Sequence, residues 1–273
     1  MKLAKYWAKG EIDRMNINPA TGNKERFFCW GWSNDSLADA AENGRQHALR
    51  AAAQLDRGEK PDRYTYGDKA LREKILEKWE SPEGSAWAAL TINSYGCDIF
   101  NTTRAMFVDV DISDPQNRAS EESAALKLLE NVLGTEEDRG AHIYRTAGGL
   151  RYIITGPALA PGDPAASDLM KRLNADPLYI TLCRVQECFR ARLTPKPWRC
   201  HVQPFGLKYP WDGTRYEAYA NSWRDKYAKL SAPYAVCKYL GYQGAPTQAT
   251  DDLSRVLELH DRVTKAKSGL PLA

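Results

Sequence analysis

The sequence predicts an α+β fold whose centre is a βαββαβ sheet with its helices packed on one face. Two observations predict this core. An apolar strand pattern over residues 105–112 is followed by a helix pattern over residues 120–133. Two further strand patterns then flank a Thr-Ala-Gly-Gly turn, and helix patterns follow that hairpin. This alternation is typical of a layer of helices on a sheet.

Composition bounds the class of protein. The 273 residues are 43% hydrophobic and 27% charged, which is ordinary for a globular chain and excludes intrinsic disorder. No run approaches the roughly 18 apolar residues of a membrane span, so no membrane partner is predicted. The start of the chain has no apolar export signal, which predicts a cytoplasmic protein. Its six cysteines, none in a CxxC pair, are then reduced thiols.

Three parts follow one another along the chain. Residues 1–103 predict an N-terminal, helix-rich α/β portion packed on the core, residues 104–215 the core itself, and residues 216–273 a helical C-terminal extension with loops near residues 241–246. Prolines, glycines and helix-capping residues interrupt the helix and strand patterns, and the boundaries of the three parts are placed at such interruptions.

In the N-terminal portion, residues 27–32 (Phe-Phe-Cys-Trp-Gly-Trp) predict a strand. The Ala-rich residues 37–55, preceded by a Ser cap, predict a helix. Residues 69–79 predict a second helix because their apolar side chains share one helical face. Alternating apolar residues predict strands over 86–92 and 95–100.

In the core, Ser120 and two glutamates suit the first turn of the helix over residues 120–133, and Gly134 suits its end. The remaining predicted elements are strands over 141–145 and 150–155, helices over 167–173 and 178–189, and a strand near 199–202.

Two aspartates stand at the end of the first core strand. Asp109 and Asp111 are two residues apart, so in a strand both carboxylates point to the same face. Two anions this close repel each other unless a cation or basic groups lie between them. Mg²⁺ and Mn²⁺ take such carboxylates together with phosphate oxygens, which predicts a metal site. The alternative is a strand-end pair that faces solvent or arginines.

The hairpin that follows combines glycine with basic residues. Arg145 and Arg151 flank the turn, and the bare backbone of Gly148 and Gly149, after Thr146, can approach a phosphate closely. Guanidinium groups supply donors for such an oxyanion. An ordinary hairpin with charged flanks is the alternative.

A basic segment near residues 188–201 has two prolines and a tryptophan. Pro195 and Pro197 stiffen it, so Lys196 and Arg199 are held out at little entropic cost. Arg190 and Arg192 lie in a mostly helical stretch, and pairing with Glu187 or with the two aspartates is the alternative for them. Charge for phosphates beside an aromatic ring for stacking is typical of nucleotide or single-strand binding. A solvated surface loop is the alternative. The basic residues are Arg190, Arg192, Lys196 and Arg199.

Together these features resemble the catalytic core of archaeo-eukaryotic primases and primase–polymerases, over about residues 104–205. In that family an RRM-like sheet carries a D-x-D or D-x-E pair for divalent metal, which residues 107–111 match. A glycine motif on the next hairpin ends in a phosphate-contacting histidine, and residues 146–151 are similar to it, with Arg151 in place of histidine. The family's third motif, an acidic residue on a later strand, has no counterpart placed here.

The resemblance implies a divalent-metal-dependent nucleotidyl- or phosphoryl-transfer enzyme that acts on nucleotide or nucleic-acid substrates. Asp109 and Asp111 would hold Mg²⁺ or Mn²⁺, and Arg151 would act with them in catalysis. The predicted nucleotide- or phosphate-binding residues are Arg145, Thr146, Gly148, Gly149, Arg190, Arg192, Lys196 and Arg199.

Three alternatives stay open on the sequence alone. A non-catalytic single-stranded RNA- or DNA-binding module would use an RRM-like sheet for stacking, although carboxylates on that face would repel a phosphate chain. A metal-dependent nuclease would use the same two aspartates. A structural or protein-interaction domain would carry its charges as surface residues.

Overall fold

A computed structural model describes residues 1–17, 24–59, 70–112, 114, 116–211, 213–246 and 250–273. Within these residues lie six α-helices and three antiparallel sheets, which confirms the α+β class. The chain divides into two compact units, Lys2–Arg72 and Glu73–Ala273 with Met1. The sequence had placed its first boundary at residue 103. In the described part of the chain, no helix combines the length and apolar character that crossing a bilayer requires.

The smaller unit is a hairpin with a helix packed on one face. Strand β1 (Tyr6–Ile17) pairs antiparallel with β2 (Lys24–Ser33), and helix α1 (Leu37–Asp56) follows. The hydroxyl of Ser36 caps α1 by accepting the backbone N–H of Asp39 at 3.0 Å. The predicted strand and helix of this unit are therefore confirmed, and β1 is an addition.

Three glycines explain how closely α1 approaches the hairpin. Gly10 and Gly31 lie on the strands opposite Gly44 of the helix, and all three are buried. A Cβ on Gly44 would lie 2.7 Å from the carbonyl oxygen of Cys29 and 2.7 Å from the amide nitrogen of Gly10. Only the absence of side chains lets these backbones meet.

The larger unit contains two four-stranded antiparallel sheets, ordered β3-β4-β5-β9 and β10-β7-β8-β6. Buried residues such as Phe107 and Ile153 belong to the apolar core of this unit. Its elements are β3 (Lys74–Glu80), β4 (Ala86–Ile92), β5 (Asp98–Thr102), β6 (Met106–Asp111), α2 (Arg118–Leu133), β7 (Gly140–Thr146), β8 (Gly149–Thr155), α3 (Pro164–Arg172), α4 (Pro177–Gln186), β9 (Phe189–Arg192), a 3-10 helix (Pro197–Cys200), α5 (Thr214–Ser231), β10 (Cys237–Gly244) and α6 (Asp251–Thr264).

Two predicted elements change type. The described part of the helix predicted over residues 69–79 contains strand β3, which pairs with β4 from Lys74↔Ile92 onward. Pairing across the sheet outweighs the weak preference of this charged segment for a helix. The strand predicted near residues 199–202 begins as a 3-10 helix instead, with Pro197 in its first turn.

The strand that follows α4 is β9, not the predicted strand near residues 199–202, and it lies in the other sheet. Helix α4 ends at Gln186, and Glu187 then takes a left-handed conformation with φ 54°. The chain turns into β9, which pairs with β5 in the register Ile99↔Arg192. Strands on either side of residue 103 therefore share one sheet, and this pairing places β3–β5 in the same unit as β6–β9.

A helix of the predicted C-terminal extension adds a second layer to the sheet that contains β7. Tyr144 and Arg145 are neighbours in β7 and so point to opposite faces of the sheet. Arg145 pairs with Glu122 of α2, whereas the Tyr144 hydroxyl donates to Asp261 of α6 at 2.8 Å. Helices therefore cover both faces. The C-terminal portion also supplies β10, which pairs with β7 where a loop was predicted.

Candidate functional site

An ion pair joins two of the three predicted catalytic residues, Asp109 and Arg151. The register of β6 and β8 places Asp109 opposite Arg151. Arg151 donates from Nε to Oδ1 at 2.7 Å and from Nη2 to Oδ2 at 2.9 Å, and its Nη1 donates to the carbonyl oxygen of Arg192 at 2.9 Å. The Arg151 side chain is 1% exposed, but that of Asp109 is 38% exposed. The carboxylate is therefore partly accessible to solvent, whereas the guanidinium that pairs with it is not.

The charge of Arg151 decides the ionisation of Asp109. Burial alone would raise the pKa of this carboxyl, but the guanidinium outweighs it and lowers the pKa below its ordinary value. Asp109 is therefore a carboxylate at neutral pH, with its charge compensated inside the protein.

Asp111 has the opposite character. It lies at the exposed end of β6, opposite Gly149. Its pKa is raised, first by burial and then by the negative charges of Asp109 and Asp176. The positive charges of Lys196 and Arg199 act on it in the other direction. The carboxyl group of Asp111 is therefore exposed and is protonated more readily than that of Asp109.

The glycine turn between β7 and β8 lies against the end of β6. Ile112 donates its backbone N–H to the carbonyl oxygen of Gly148 at 2.9 Å, and Gly148 donates to the Thr146 hydroxyl at 3.2 Å. Arg118 of α2 donates to the carbonyl oxygen of Thr146 at 2.8 Å. A Cβ on Gly149 would lie 2.9 Å from the amide nitrogen of Ile112. Glycine is therefore required where the turn meets the strand.

Three cations of the basic segment are close enough to influence one another, and Arg199 lies against this turn. Arg199 has a buried Nη1 without a hydrogen-bond partner among the described residues, and its Nη2 lies 3.6 Å from the Cβ position of Gly148. Burial and the charge of Arg151 lower the pKa of Arg192. Burial and the charges of Arg192 and Arg199 lower the pKa of Lys196. We call Arg192, Lys196 and Arg199 the basic cluster.

Packing on both sides fixes the backbone of the basic segment. The Thr194 hydroxyl accepts the backbone N–H of Asp98 at 2.9 Å, and the Pro195 carbonyl accepts the Tyr227 hydroxyl of α5. Val202 donates its N–H to the carbonyl oxygen of Pro197 at 2.9 Å. The basic cluster therefore stands on a backbone with little freedom left to lose on binding.

Two exposed aromatic rings lie beside the basic cluster. Trp198 is 45% exposed and Tyr95 is 50% exposed. Their ring centroids are 5.3 Å apart in an edge-to-face arrangement, and the Lys196 ammonium lies 5.5 Å from the centroid of Trp198. An aromatic surface of this kind can stack on a flat ligand.

Two predicted phosphate-binding arginines lie elsewhere. Arg145 pairs with both carboxylate oxygens of Glu122 on the α2 face of the sheet. Arg190 pairs with Glu73 at 2.6 Å and donates to Gln186 at 2.8 Å. Both guanidiniums are therefore engaged by carboxylates of the protein itself.

Two residues of this region were missed. Asp176 caps α4 by accepting the N–H of Leu178 at 2.9 Å, and its charge reaches Asp111.

The second missed residue is buried His260. Its Nε2 lies 3.5 Å from Arg151 Nη1, and its Nδ1 lies 3.2 Å from Asp261 Oδ1. Because an arginine N–H can only donate, Nε2 is the acceptor and Nδ1–H donates to Asp261. The sequence feature that could have indicated His260 is its position on the apolar face of the helix that is α6.

The arrangement does not fit a cation shared by Asp109 and Asp111. Both oxygens of Asp109 accept hydrogen bonds from a buried guanidinium, which supplies the positive charge that a metal would otherwise bring. Within the described ranges, no group of three or more His, Cys, Asp or Glu side chains is placed to hold a metal ion. The Mg²⁺ or Mn²⁺ site therefore stays a prediction.

Comparison of the chain with protein-family models, with curated proteins and with solved structures finds no match. The function of the site is therefore inferred from its geometry.

Proposed function

We propose that this chain binds a nucleotide, or the end of a nucleic acid, through its phosphates, in an RRM-like core similar to that of primase–polymerases. The observation that carries the proposal is the Arg199 guanidinium, whose buried Nη1 has no partner among the described residues and whose Nη2 lies beside Gly148. A buried charged donor without an acceptor costs free energy, and a phosphate oxygen at the turn would remove that cost.

The crowding of like charges supports an anionic ligand. Arg192 and Lys196 both have lowered pKa values, to which the charges of neighbouring cations contribute. A phosphate group would offset this repulsion. Guanidinium and ammonium groups are the usual protein donors to such an oxyanion.

The exposed rings support a nucleotide rather than a free phosphate. Trp198 and Tyr95 offer an aromatic surface next to the basic cluster, where a base could stack while its phosphates reach Arg199. Arg151 has a supporting role in this proposal. Because it neutralises Asp109, the incoming phosphate does not meet that carboxylate as a free negative charge.

Metal-dependent nucleotidyl transfer is the second candidate. The observation that favours it is that the charge of Asp176 reaches Asp111: burial, then Asp109 and then Asp176 raise the pKa of Asp111. Asp111 and Asp176, rather than the predicted pair, are the residues that would hold Mg²⁺ or Mn²⁺, since one or two carboxylates with substrate phosphates suffice for such ions.

Isothermal titration with ATP in the presence of EDTA tests the leading proposal. Wild type should bind, and Arg199→Ala should weaken binding about ten- to a hundredfold, the effect of losing a charge-assisted hydrogen bond. Trp198→Ala should weaken ATP binding but leave the binding of inorganic triphosphate unchanged. Arg184→Ala, an exposed arginine on α4, is the matched control and should bind like wild type.

Two outcomes would count against the proposal: wild type that does not bind ATP in EDTA, or equal affinity in the Arg199→Ala protein. A parallel titration with Mn²⁺ addresses the second candidate. Mn²⁺ binding that is lost in Asp111→Asn and in Asp176→Asn would support metal-dependent transfer. Absence of Mn²⁺ binding in wild type, with ATP present, would rule against it.

A further inference from the structure

One face of the N-terminal hairpin concentrates aromatic side chains. Residues opposite each other in an antiparallel pair point to the same face, and the face alternates along the strand. The register pairs Trp7 with Trp32 and Lys9 with Trp30. The next pair on that face is Glu11 with Phe28. Three tryptophans and a phenylalanine therefore lie within three successive cross-strand pairs, and we call them the aromatic face.

Helix α1 packs on the opposite face of the hairpin from these rings, of which Phe28 is exposed and Trp7, Trp30 and Trp32 are half-buried. The buried glycines Gly10 and Gly31 lie on the other face of the hairpin, where the α1 backbone approaches at Gly44. The helix therefore covers only the small-residue face. Phe28 is 49% exposed, and Trp30 is half-buried.

Basic side chains lie over the rings. The Lys9 ammonium is 5.4 Å from the ring centroid of Phe28 and 5.2 Å from that of Trp30. The Arg72 guanidinium carbon is 4.6 Å from the Trp30 ring centroid. Two acids share this face, Glu11 and Asp13, and the register sets Asp13 opposite Arg26.

We propose that the aromatic face binds single-stranded nucleic acid by stacking its bases on Phe28, Trp30 and Trp32, with Lys9 and Arg72 meeting the phosphate backbone. Aromatic platforms bordered by lysine or arginine bind single strands without strong sequence preference, since every base has a π face. The proposal concerns other residues than the phosphate site and does not rest on it.

The spacing of the rings suits a single strand. Side chains two residues apart in a strand are about 7 Å apart, roughly twice the 3.4 Å between stacked bases. Phe28, Trp30 and Trp32 follow one another at this spacing along β2. Successive rings can therefore stack on successive bases of a nucleic-acid single strand whose bases are not stacked on one another.

The charges favour nucleic acid over a protein partner. Charged residues are depleted from the centre of protein interfaces, whereas here an ammonium and a guanidinium lie directly over the central ring. A polyanion can pair with these cations while its bases occupy the rings.

Fluorescence anisotropy with a labelled oligo(dT), on the full chain, tests this proposal. Wild type should bind with a salt-dependent affinity and with quenching of tryptophan fluorescence. Trp30→Ala should weaken binding about five- to a hundredfold, and Trp30→Phe should retain most of it because a ring remains. Tyr216→Ala, an exposed aromatic residue on α5, is the control and should have no effect.

Three further measurements make the outcome decisive. Arg199→Ala should leave the effect of Trp30→Ala on oligo(dT) unchanged, and Trp30→Ala should leave ATP binding unchanged, so the two proposals can fail separately. Circular dichroism should show that Trp30→Ala is folded. The proposal is overturned if wild type does not bind oligo(dT), or if Trp30→Ala with Trp32→Ala binds it equally well. Self-association of wild type that Trp30→Ala abolishes, without oligonucleotide binding, would assign the face to a second copy.

Discussion

At the scale of single residues, two aspartates of one strand show how neighbours set the behaviour of a carboxyl group. Asp109 and Asp111 are chemically identical and share a face of β6. A buried guanidinium lowers the pKa of the first, and burial with two nearby carboxylates raises the pKa of the second. The spacing that predicts one shared cation therefore produces two different environments, because Arg151 is opposite only Asp109.

The stability of variants should report this difference. Asp109→Asn leaves the buried charge of Arg151 uncompensated, so the free energy of unfolding should fall by about 3 kcal/mol. Asp111→Asn, the control on the same strand, should change it by less than about 1 kcal/mol, toward greater stability, because it removes repulsion from Asp109 and Asp176. Urea unfolding followed by circular dichroism measures both. Equal effects of the two substitutions would contradict the assignment.

The pH dependence should also have opposite signs. The lowered pKa of Asp109 gives stability that is present above the unfolded value, about 3.9, and is lost as pH falls through the folded pKa. The raised pKa of Asp111 means that the folded chain holds this proton longer, so its ionisation destabilises the fold as pH rises above about 4. The stabilising effect of Asp111→Asn should therefore vanish below about pH 4 in the same urea experiments.

At the scale of elements, the approach of α1 to its hairpin depends on small residues. A Cβ on Gly44 would meet backbone atoms of Cys29, Gly10 and Gly31 within 2.7 to 2.9 Å. Backbone atoms cannot move aside as the end of a side chain can. The helix would have to shift away from the strands.

Gly44→Ala should therefore weaken this unit, even though alanine is the better helix former. We expect the opening free energy of α1 amides to fall by about 1–3 kcal/mol, the usual cost of overpacking. Hydrogen exchange read by mass spectrometry measures this. Gly162→Ala, whose Cβ would meet nothing within 4 Å, is the control and should leave exchange unchanged. Unaltered α1 exchange in Gly44→Ala would show that the contact is not required.

Elements whose stability is local were predictable from the sequence. Helix α1 has its Ser36 cap and alanine-rich stretch, and the strands of the β7–β8 hairpin flank their glycine turn. Strand β10 was not predictable, since its partner β7 is distant in the chain. Strand β3 pairs with its neighbour β4, and it was missed because its apolar residues also fit one face of a helix. The site divides in the same way. Its glycine turn and basic segment were visible in the sequence, but the pairing of Arg151 with Asp109 depends on a register that no local pattern reveals.

At the scale of the whole molecule, the burial of the cysteine thiols indicates how tightly the chain is packed. Five of the six cysteines are buried, and Cys29 is partly exposed. Burial raises the pKa of Cys97 and Cys188 to about 11 and that of Cys183 to about 12. Since the thiolate is the reactive form, these groups are protonated near neutral pH.

Ellman's reagent at about pH 8 should therefore label Cys29 first. A rise of two pKa units lowers the thiolate fraction about a hundredfold, and burial slows access further, so the remaining thiols should react only as the chain unfolds. Cys29→Ser should abolish the fast phase. Fast labelling of several thiols in the folded wild-type protein would contradict the packing described here.

The position of β10 in its sheet has a consequence for synthesis of the protein on the ribosome. β7 and β8 are complete by Thr155, yet the outer edge of β7 pairs only with residues 237–244, and α6 covers one face with residues 251–264. At ordinary rates of translation, about 5–20 residues per second, this leaves the nascent hairpin with an open edge for roughly 5–20 s. Such edges invite pairing with other chains. The emerging polypeptide is therefore a natural substrate for chaperones until β10 and α6 have been translated.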